Sequence, residues 1–561
     1  MGLLEKFFKN VTDISDKGKI IIEEENSFGY ITIAQLKEAM GILPEEPEIP
    51  EVPEEPEEPE IPEEPEEPEI PEEPEIPEEP EIPEVPEEPE VPEEPEVPEE
   101  SHAAQVNKLI GKGLNVYYSM NDGAEGWSPD TYGIIKDAGF ESIRIVILKG
   151  TDEYPITNEK LSNLKKTVDL CITNGLLPII DWHTNNDWFK TYSSSKRNSF
   201  INNWAAIADY FKDYKYDEVV FELANEPCDL EPNVWNQLII DVISKIRTYR
   251  NDRIIMVAGL WWGGLKSVSE LELPNDENLI LTIHYYNPQW ICRQNCPYPN
   301  FNGIEFANVK WENIQPMVDN LEDEFKDVFA FQEKHNNIPI NIGEWGTVIF
   351  ADNDNRTAYA TLLSTWFESK GFSQLIWDYD HDFGLMKNPK MGVETETGWY
   401  IDVVNAIINP ELILKDYTSE TILEYNGFDS VGDWSTYQSG GGKIKLSVED
   451  NKLVANVTET DWNYITARVC TPYFKFEKNK LYRVSYTISS SPSKTKTICH
   501  KWSGVHSSFY TYNLGQEPVK RVQTYMMART TNNNTNIEFM VGVGTGKVIF
   551  SDFKLEKLNV V

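Results

Sequence analysis

Eight short apolar runs, each of a length suited to a buried strand, recur between residues 101 and 415 and alternate with helical patterns. The runs fall at 114–117, 142–147, 177–182, 218–223, 254–257, 279–284, 338–342 and 374–377, with helical patterns at 159–174, 199–211, 234–249, 314–335 and 356–370. Unbroken apolar strands separated by amphipathic helices mark a parallel sheet covered by helices. Eight such units over about 300 residues predict a (β/α)8 barrel, an α/β fold whose working residues sit at the C-terminal strand ends. The structural rival is a doubly wound open sheet. That fold would bring a glycine-rich turn after its first strand, whereas Gly111-Lys112-Gly113 precedes the strand here.

Upstream, proline stands at every third position from Pro44 to Pro98, with Glu, Ile or Val between. Proline fixes φ and removes an amide donor, so neither helix nor sheet can run through residues 44–100. A polyproline II rod with mutually repelling glutamates is expected, reaching roughly 180 Å at ~3.1 Å per residue. Its 29 glutamates carry most of the formal net charge of −45, and the rest of the chain is left at −16. That balance argues against nucleic acid or an anionic membrane as partner and fits a neutral polysaccharide. No apolar run reaches the ~18 residues of a membrane helix, so membrane insertion is not expected. Residues 1–43, with a strand pattern at 19–22 and a helix pattern at 33–40, are too few to bury a core alone. They read as an attachment or oligomerisation segment, one setting for which is a virion-associated stalk.

Residues 416–561 change character. Short alternating segments at 443–448, 452–457, 482–488, 536–541 and 547–550 are separated by Gly, Asn, Ser and Asp clusters. The pattern predicts an antiparallel β-sandwich.

The chemistry gathers at the barrel's strand ends. Arg144 lies near the second, His183 follows the third, and Asn225-Glu226-Pro227 follows the fourth. His284-Tyr285-Tyr286 ends the sixth, Gly343-Glu344-Trp345-Gly346 the seventh, and Trp377-Asp378 the eighth. Glu226 and Glu344 would then face each other across the barrel mouth. Hydrolysis of a glycosidic bond needs two carboxyl groups in opposite protonation states, one giving a proton to the leaving oxygen and the other ionised. A guanidinium beside one of them would hold it ionised. Taken singly, each residue has a bland role: Glu226 as a helix cap, Arg144 in any ion pair, Trp377 in the core. Their order along the strand ends carries the argument. Trp182, Trp188, Trp261, Trp262 and Trp290 are candidate sugar platforms, with packing as the equal alternative.

These residues resemble glycoside hydrolase family 5, whose pattern is an Arg, a His, an Asn-Glu pair, a His-x-Tyr, a second Glu and a Trp in this order. The matching positions are Arg144, His183, Asn225 with Glu226, His284 with Tyr286, Glu344 and Trp377. The resemblance implies a retaining mechanism. Glu226 would be the acid/base and Glu344 the nucleophile. Asn225 would bind the 2-hydroxyl, and Tyr286 would hydrogen-bond the nucleophile. It implies no metal and no organic cofactor. The C-terminal segment resembles the jelly-roll carbohydrate-binding modules joined to such barrels, through Asn426-Gly427-Phe428, Trp434 and the closing run 542–553. Its sugar-binding candidates are Trp434, Trp462, Tyr464 and Trp502.

The expected protein is thus a retaining, endo-acting β-1,4-glucanase, a cellulase or mixed-linkage β-glucanase, with a tethered glycan-binding module. β-Mannanase and xyloglucanase are alternatives on the same site. A catalytically inactive glycan-binding or virion attachment protein is the alternative of another class. The substrate implies an extracellular place of action, whereas MGLLEKFFKNVTDISDKGK shows no signal-peptide apolar core. A replaced leader, an unusual export route or release by lysis would reconcile the two. Cys292 and Cys296 are close enough in sequence for a local disulfide, and an oxidising compartment would allow Cys470 and Cys499 to pair, which their spacing alone does not establish. A zinc site at the first pair would need two further ligands that the sequence does not place.

Overall fold

The computed structural model describes residues 11–14, 19–24, 27–32 and 100–561, apart from 120–122, 125–128, 150–155, 184–185, 299–308, 392, 394–396, 461–463, 492–493, 503–509, 527–530 and 543. The chain divides into two units, residues 1–94 and 95–561. In the first, strands Val11–Ile14, Lys19–Glu24 and Ser27–Thr32 form an antiparallel sheet in sequence order, with the strand expected at 19–22 at its centre. The helix expected at 33–40 and the rod up to residue 99 lie outside the described residues.

In the second unit the eight runs become eight parallel strands: β1 (Lys112–Ser119), β2 (Ser142–Lys149), β3 (Leu177–Asp181), β4 (Val220–Glu222), β5 (Ile255–Val257), β6 (Leu279–Tyr285), β7 (Ile340–Trp345) and β8 (Ser373–Ile376). Each pairs with the next, and β8 returns to β1 through Gln374↔Lys112, Leu375↔Gly113 and Ile376↔Leu114, closing the barrel. Helix α1 (His102–Ile110) precedes it. The outer layer is α2 (Asp130–Asp137), α3 (Asn158–Thr173), α4 (Ser194–Tyr210), α5 (Pro232–Arg247), α6 (Gln315–Glu324), α7 (Lys326–Lys334), α8 (Asn353–Ser369) and α9 (Ile401–Ile408).

One expected helix departs from the sequence pattern, and one strand connection lacks a helix altogether. The single helix expected over 314–335 is broken at Phe325, where the backbone leaves the helical region (φ −88°, ψ 2°). The Phe325 ring is instead buried against Phe329, Trp366, Phe367 and Phe372. Between β5 and β6 stands only a 3-10 turn, Leu265–Ser269.

The barrel floor is closed by α1. Its N-cap Ser101 accepts from the Ala104 amide, and its face of Ala103, Val106 and Ile110 packs on Leu177, Ile179, Val220, Met256, Ile280 and Leu375 inside the barrel. Asn107 fixes the helix at that end, donating to the Gly371 carbonyl (3.2 Å) and accepting from Ser373 (2.7 Å). With this end sealed, the open mouth is left to the strand C-termini.

Downstream strands are β9 (Tyr417–Tyr425), β10 (Ser435–Gln438), β11 (Lys443–Glu449), β12 (Lys452–Glu459), β13 (Ala467–Cys470), β14 (Leu481–Ser491), β15 (Lys494–Trp502), β16 (Tyr510–Leu514), β17 (Val519–Met526), β18 (Ile537–Met540) and β19 (Gly546–Val560). They form two antiparallel sheets, β11-β12-β19-β14-β17 with β9 also on β19, and β10-β13-β18-β15-β16. Inward residues of both, among them Leu453, Val484, Tyr486, Val469, Phe539 and Phe550, share one apolar cluster. The sheets are docked on the barrel. Leu481 and Leu558 are buried in the barrel's own core cluster, with Tyr417 and Val560 packed against it. The docking helix is α6: the Thr524 amide donates to Asn320 Oδ1 (3.0 Å), the Thr524 hydroxyl donates to the Pro316 carbonyl (3.2 Å), and Arg483 pairs with Asp319 (3.4 Å).

Candidate active site

Arg144, wholly buried on β2, organises the mouth of the barrel. All five of its N–H groups are used. Nε and Nη2 grip Glu222 at the end of β4 (2.6 and 2.9 Å), and Nη2 also reaches Asn225 Oδ1 (2.9 Å). Nη1 donates to Asn115 Oδ1 on β1 (2.8 Å) and to Glu344 Oε1 at the end of β7 (3.0 Å). Asp181, the last residue of β3, adds an ion-pair contact to Nη2 at 3.1 Å. A guanidinium is planar with a fixed fork of donors, so one side chain ties strands β1, β3, β4 and β7 at set angles.

The two glutamates stand in different settings. Glu344 accepts from Arg144 through one oxygen and from the Tyr286 hydroxyl through the other (3.0 Å). Glu226 is met by His284 Nδ1 at 3.1 Å. Ligand atoms of Glu226, His284 and Glu344 all lie within 4.8 Å of one another. Burial pushes both carboxyls above the usual range, countered at each by neighbouring His and Arg groups. Only Glu344, however, touches the cation. Direct contact favours ionised Glu344 and leaves Glu226 the better proton holder. Among the described residues, these three are the ones whose spacing could accept a metal ion. Their chemistry fits one poorly, because His284 Nδ1 is engaged with Glu226 and both Glu344 oxygens already accept hydrogen bonds.

His183 and His284 are each held at a pKa of about 4, chiefly by burial. Both are therefore neutral near pH 7. His183 Nδ1 lies 2.8 Å from Asp181, an acceptor, so the proton sits on Nδ1 and Nε2 is left to accept. Asn225 accepts from Arg144 through its oxygen, which turns its amide N–H group toward the cleft. Trp377 lies parallel to His183 (5.5 Å, 15°), with Tyr117 edge-on at 5.3 Å.

The glycines beside Glu344 have a steric reason. A Cβ on Gly343 would lie 2.4 Å from Thr282 Oγ1 and 3.2 Å from His284 Nε2; one on Gly346 would lie 2.5 Å from the Trp377 carbonyl. The string Gly343-Glu344-Trp345-Gly346 thus lets the end of β7 lie close to Thr282, the His284 imidazole and the Trp377 backbone.

The eight predicted barrel residues, Arg144, His183, Asn225, Glu226, His284, Tyr286, Glu344 and Trp377, come together here. Seven of them line a cleft of roughly 630 Å³, with Arg144 buried beneath it. The platform candidates divide. Trp182, Trp188 and Trp290 expose at most 6 % and belong to the barrel core, because their strand-end and helix positions face the helical layer. Trp261 and Trp262 expose 42 % and 44 %, lie in the left-handed region (φ 66° and 58°) and line the cleft. That backbone is unusual for bulky residues. It is held by the Trp262 amide donating to the carbonyl of Pro227, next to Glu226, and by the His284 amide donating to that of Gly263.

In the C-terminal sheets Trp434 is a correction. It is 4 % exposed, enclosed by Tyr425, Phe428 and Phe553, and serves as core. Trp462 and the side chains of Tyr464 and Trp502 lie outside the described residues. Cys292 and Cys296 are buried thiols and not a disulfide; Cys292 donates to the Tyr359 hydroxyl at 3.2 Å. The Cys499 side chain lies outside the described residues.

Sequence reasoning gave no role to Asn115, Asp181 and Glu222, partners of Arg144. Each interrupts an apolar strand with a polar group, which was the available signal. It also passed over Glu324 and Asp327 in the cleft wall. They sit on the helical layer, where acidic residues are ordinarily solvated.

Residues 112–382 match the family model for cellulase, glycosyl hydrolase family 5. Over these residues the barrel is similar to the barrels of that family. The chain is 25 % identical over 380 residues to endoglucanase H of Acetivibrio thermocellus, covering 62 % of this chain and 39 % of that protein. It is 25 % identical over 306 residues to endoglucanase A of Clostridium longisporum, covering 49 % and 56 %. This chain therefore spans about two fifths to just over half of those relatives' lengths. The crystal structure of endoglucanase Cel5A from Thermotoga maritima overlaps at a TM-score of 0.49 and 26 % identity, over 55 % of this chain and 99 % of that one.

Proposed function

We propose that the chain is a retaining, endo-acting β-1,4-glucanase. The observation that carries this is the Glu226–Glu344 pair, whose nearest reacting atoms lie within 4.8 Å across the barrel mouth. Carboxyl groups about 5–5.5 Å apart leave no room for a water between nucleophile and sugar, which favours double displacement over inversion. The names of the relatives, endoglucanases of Acetivibrio thermocellus and Clostridium longisporum, support the substrate class.

In the first step a Glu344 oxygen attacks the anomeric carbon as the Glu226 proton passes to the leaving oxygen. The glycosidic bond breaks and a glycosyl ester on Glu344 forms. In the second step Glu226, now ionised, takes a proton from water, whose oxygen displaces Glu344. Arg144 and Tyr286 aim the nucleophile, and His284 supports Glu226 in both protonation states. The Asn225 amide and His183 Nε2 meet sugar hydroxyls. Trp377 stacks on the ring before the cut, and Trp261 and Trp262 offer apolar faces beyond it. The C-terminal sheets read as a jelly-roll β-sandwich of the carbohydrate-binding kind, with Trp434 removed from its binding candidates.

Reducing-sugar release from soluble β-glucan, mannan, xyloglucan and xylan tests the reading. Wild type should release sugar from β-glucan, and Glu344→Gln from none of the four. Glu226→Gln should lose about 10²–10⁴-fold on polymer and much less on an aryl glycoside whose leaving group needs no proton. Release from mannan alone, or residual full activity in Glu344→Gln, would overturn it.

A further inference from the structure

The far wall of the cleft is not built by the barrel alone. Glu324 and Asp327, from α6 and α7, line the same cavity as Glu226 and Glu344. Neighbouring residues at a strand end point to opposite sides. Tyr286 faces the axis and donates to Glu344, whereas Tyr285 faces the helical layer, beside Phe325 and Phe367, and donates to Glu324 Oε2 at 2.6 Å. Glu324 is thereby held through Tyr285, on the opposite side of β6 from Tyr286. Its other oxygen accepts from Asn320 Nδ2 (3.1 Å), and Asn320 Oδ1 accepts from the amide of Thr524 on β17 (3.0 Å). A continuous chain of hydrogen bonds thus runs from the C-terminal sheets to a carboxyl in the cleft. A second support is Arg521, 3 % exposed, which donates to the Asp323 carbonyl (3.3 Å) and faces Asp327 at 3.5 Å. Lys326 donates to the Lys520 carbonyl at 2.5 Å. These contacts bracket the break at Phe325, the place where a helix pair could otherwise swing.

We propose that the C-terminal sheets are a working part of the cleft: through Thr524, Asn320 and Arg521 they position Glu324 and Asp327, which accept hydroxyls of a sugar unit outside the two that flank the cleaved bond. The ligand is a further glucosyl residue of the same neutral chain, so this rests on the glucanase reading above. Carboxylates suit it because each presents several acceptor sites to vicinal hydroxyls. Asn320, Thr524 and Arg521 are positioning residues; Glu324 and Asp327 are the binding ones.

The test uses the full chain and cello-oligosaccharides of increasing length beside an aryl cellobioside. The readout is the ratio of kcat/KM for the longest to that for the shortest, in which the fraction of folded enzyme cancels. Glu324→Gln should lower that ratio about ten-fold, the weight of one hydrogen bond. Asn320→Leu should lower it in the same direction, and in both the change should fall on KM for the long substrates. A ratio equal to wild type in both variants would overturn the inference while leaving the glucanase reading intact. A wild type that cleaves none of the substrates would overturn both.

Discussion

At the scale of single residues, the site depends on one cation with every donor used. Arg144 meets Glu222, Asp181, Glu344, Asn225 and Asn115 with no exposure to water. Lysine keeps the charge but offers a point donor on a flexible stem. Arg144→Lys should therefore leave buried carboxylates short of partners and cost about 3–5 kcal/mol of stability, with activity lost. Urea unfolding would check it, and a loss under about 1 kcal/mol would contradict the network's importance. His183 gives a pH signature. Its pKa is about 4 in the fold, against ~6.5 when unfolded. Between those values the unfolded chain binds a proton that the folded one refuses, so stability from this group is lost as pH falls through the window. Removing the imidazole removes that term: the melting temperature of wild type should fall more steeply than that of His183→Gln between pH 7 and 4.5. Parallel curves would refute it. The eight residues of the reacting centre were legible because their chemistry is tied to strand ends. The residues that hold them were not. Asn115 and Glu222 acquire meaning only when the closed barrel brings β1, β2 and β4 around one guanidinium.

At the scale of elements, the barrel separates stability from chemistry along its axis. The α1 plug and the apolar residues it covers lie at the N-terminal end, away from the cleft. Ile110, fully buried there, should cost about 2–5 kcal/mol when cut to Ala, with kcat/KM on a soluble substrate unchanged at a temperature where the variant is folded. A drop in kcat/KM under those conditions would show that the floor and the mouth are coupled. The eight strands could be read from sequence because both faces of each are covered, leaving unbroken apolar runs. The division of the 314–335 segment could not. A helical periodicity carries on through Phe325, and only the demand of four surrounding aromatic rings turns the backbone there. Trp434 failed for the opposite reason: a lone aromatic among polar neighbours looks exposed in sequence, and the rings of Tyr425, Phe428 and Phe553 enclose it.

At the scale of the whole molecule, the C-terminal sheets share a core with the barrel through Leu481 and Leu558. A module on a loose tether would affect only action on insoluble substrate. The docked arrangement predicts more. A chain ending at residue 415 would bare the α6 face, and it should melt at lower temperature and lose activity on soluble β-glucan as well. If the shortened chain matched full-length enzyme on soluble substrate, the docking would be without consequence for the barrel.

The strand β19 lends the molecule an order of assembly. It lies at the centre of its sheet, bonded along its length to β12, β9 and β14, yet it is the last of that domain in sequence. On a ribosome the barrel can close once β8 has emerged, since every pairing it needs is already made. The downstream sheets must wait for their spine. In that interval of synthesis the helix that will receive them stands uncovered, and the nascent chain passes through a stage in which a finished barrel carries an unfinished wall.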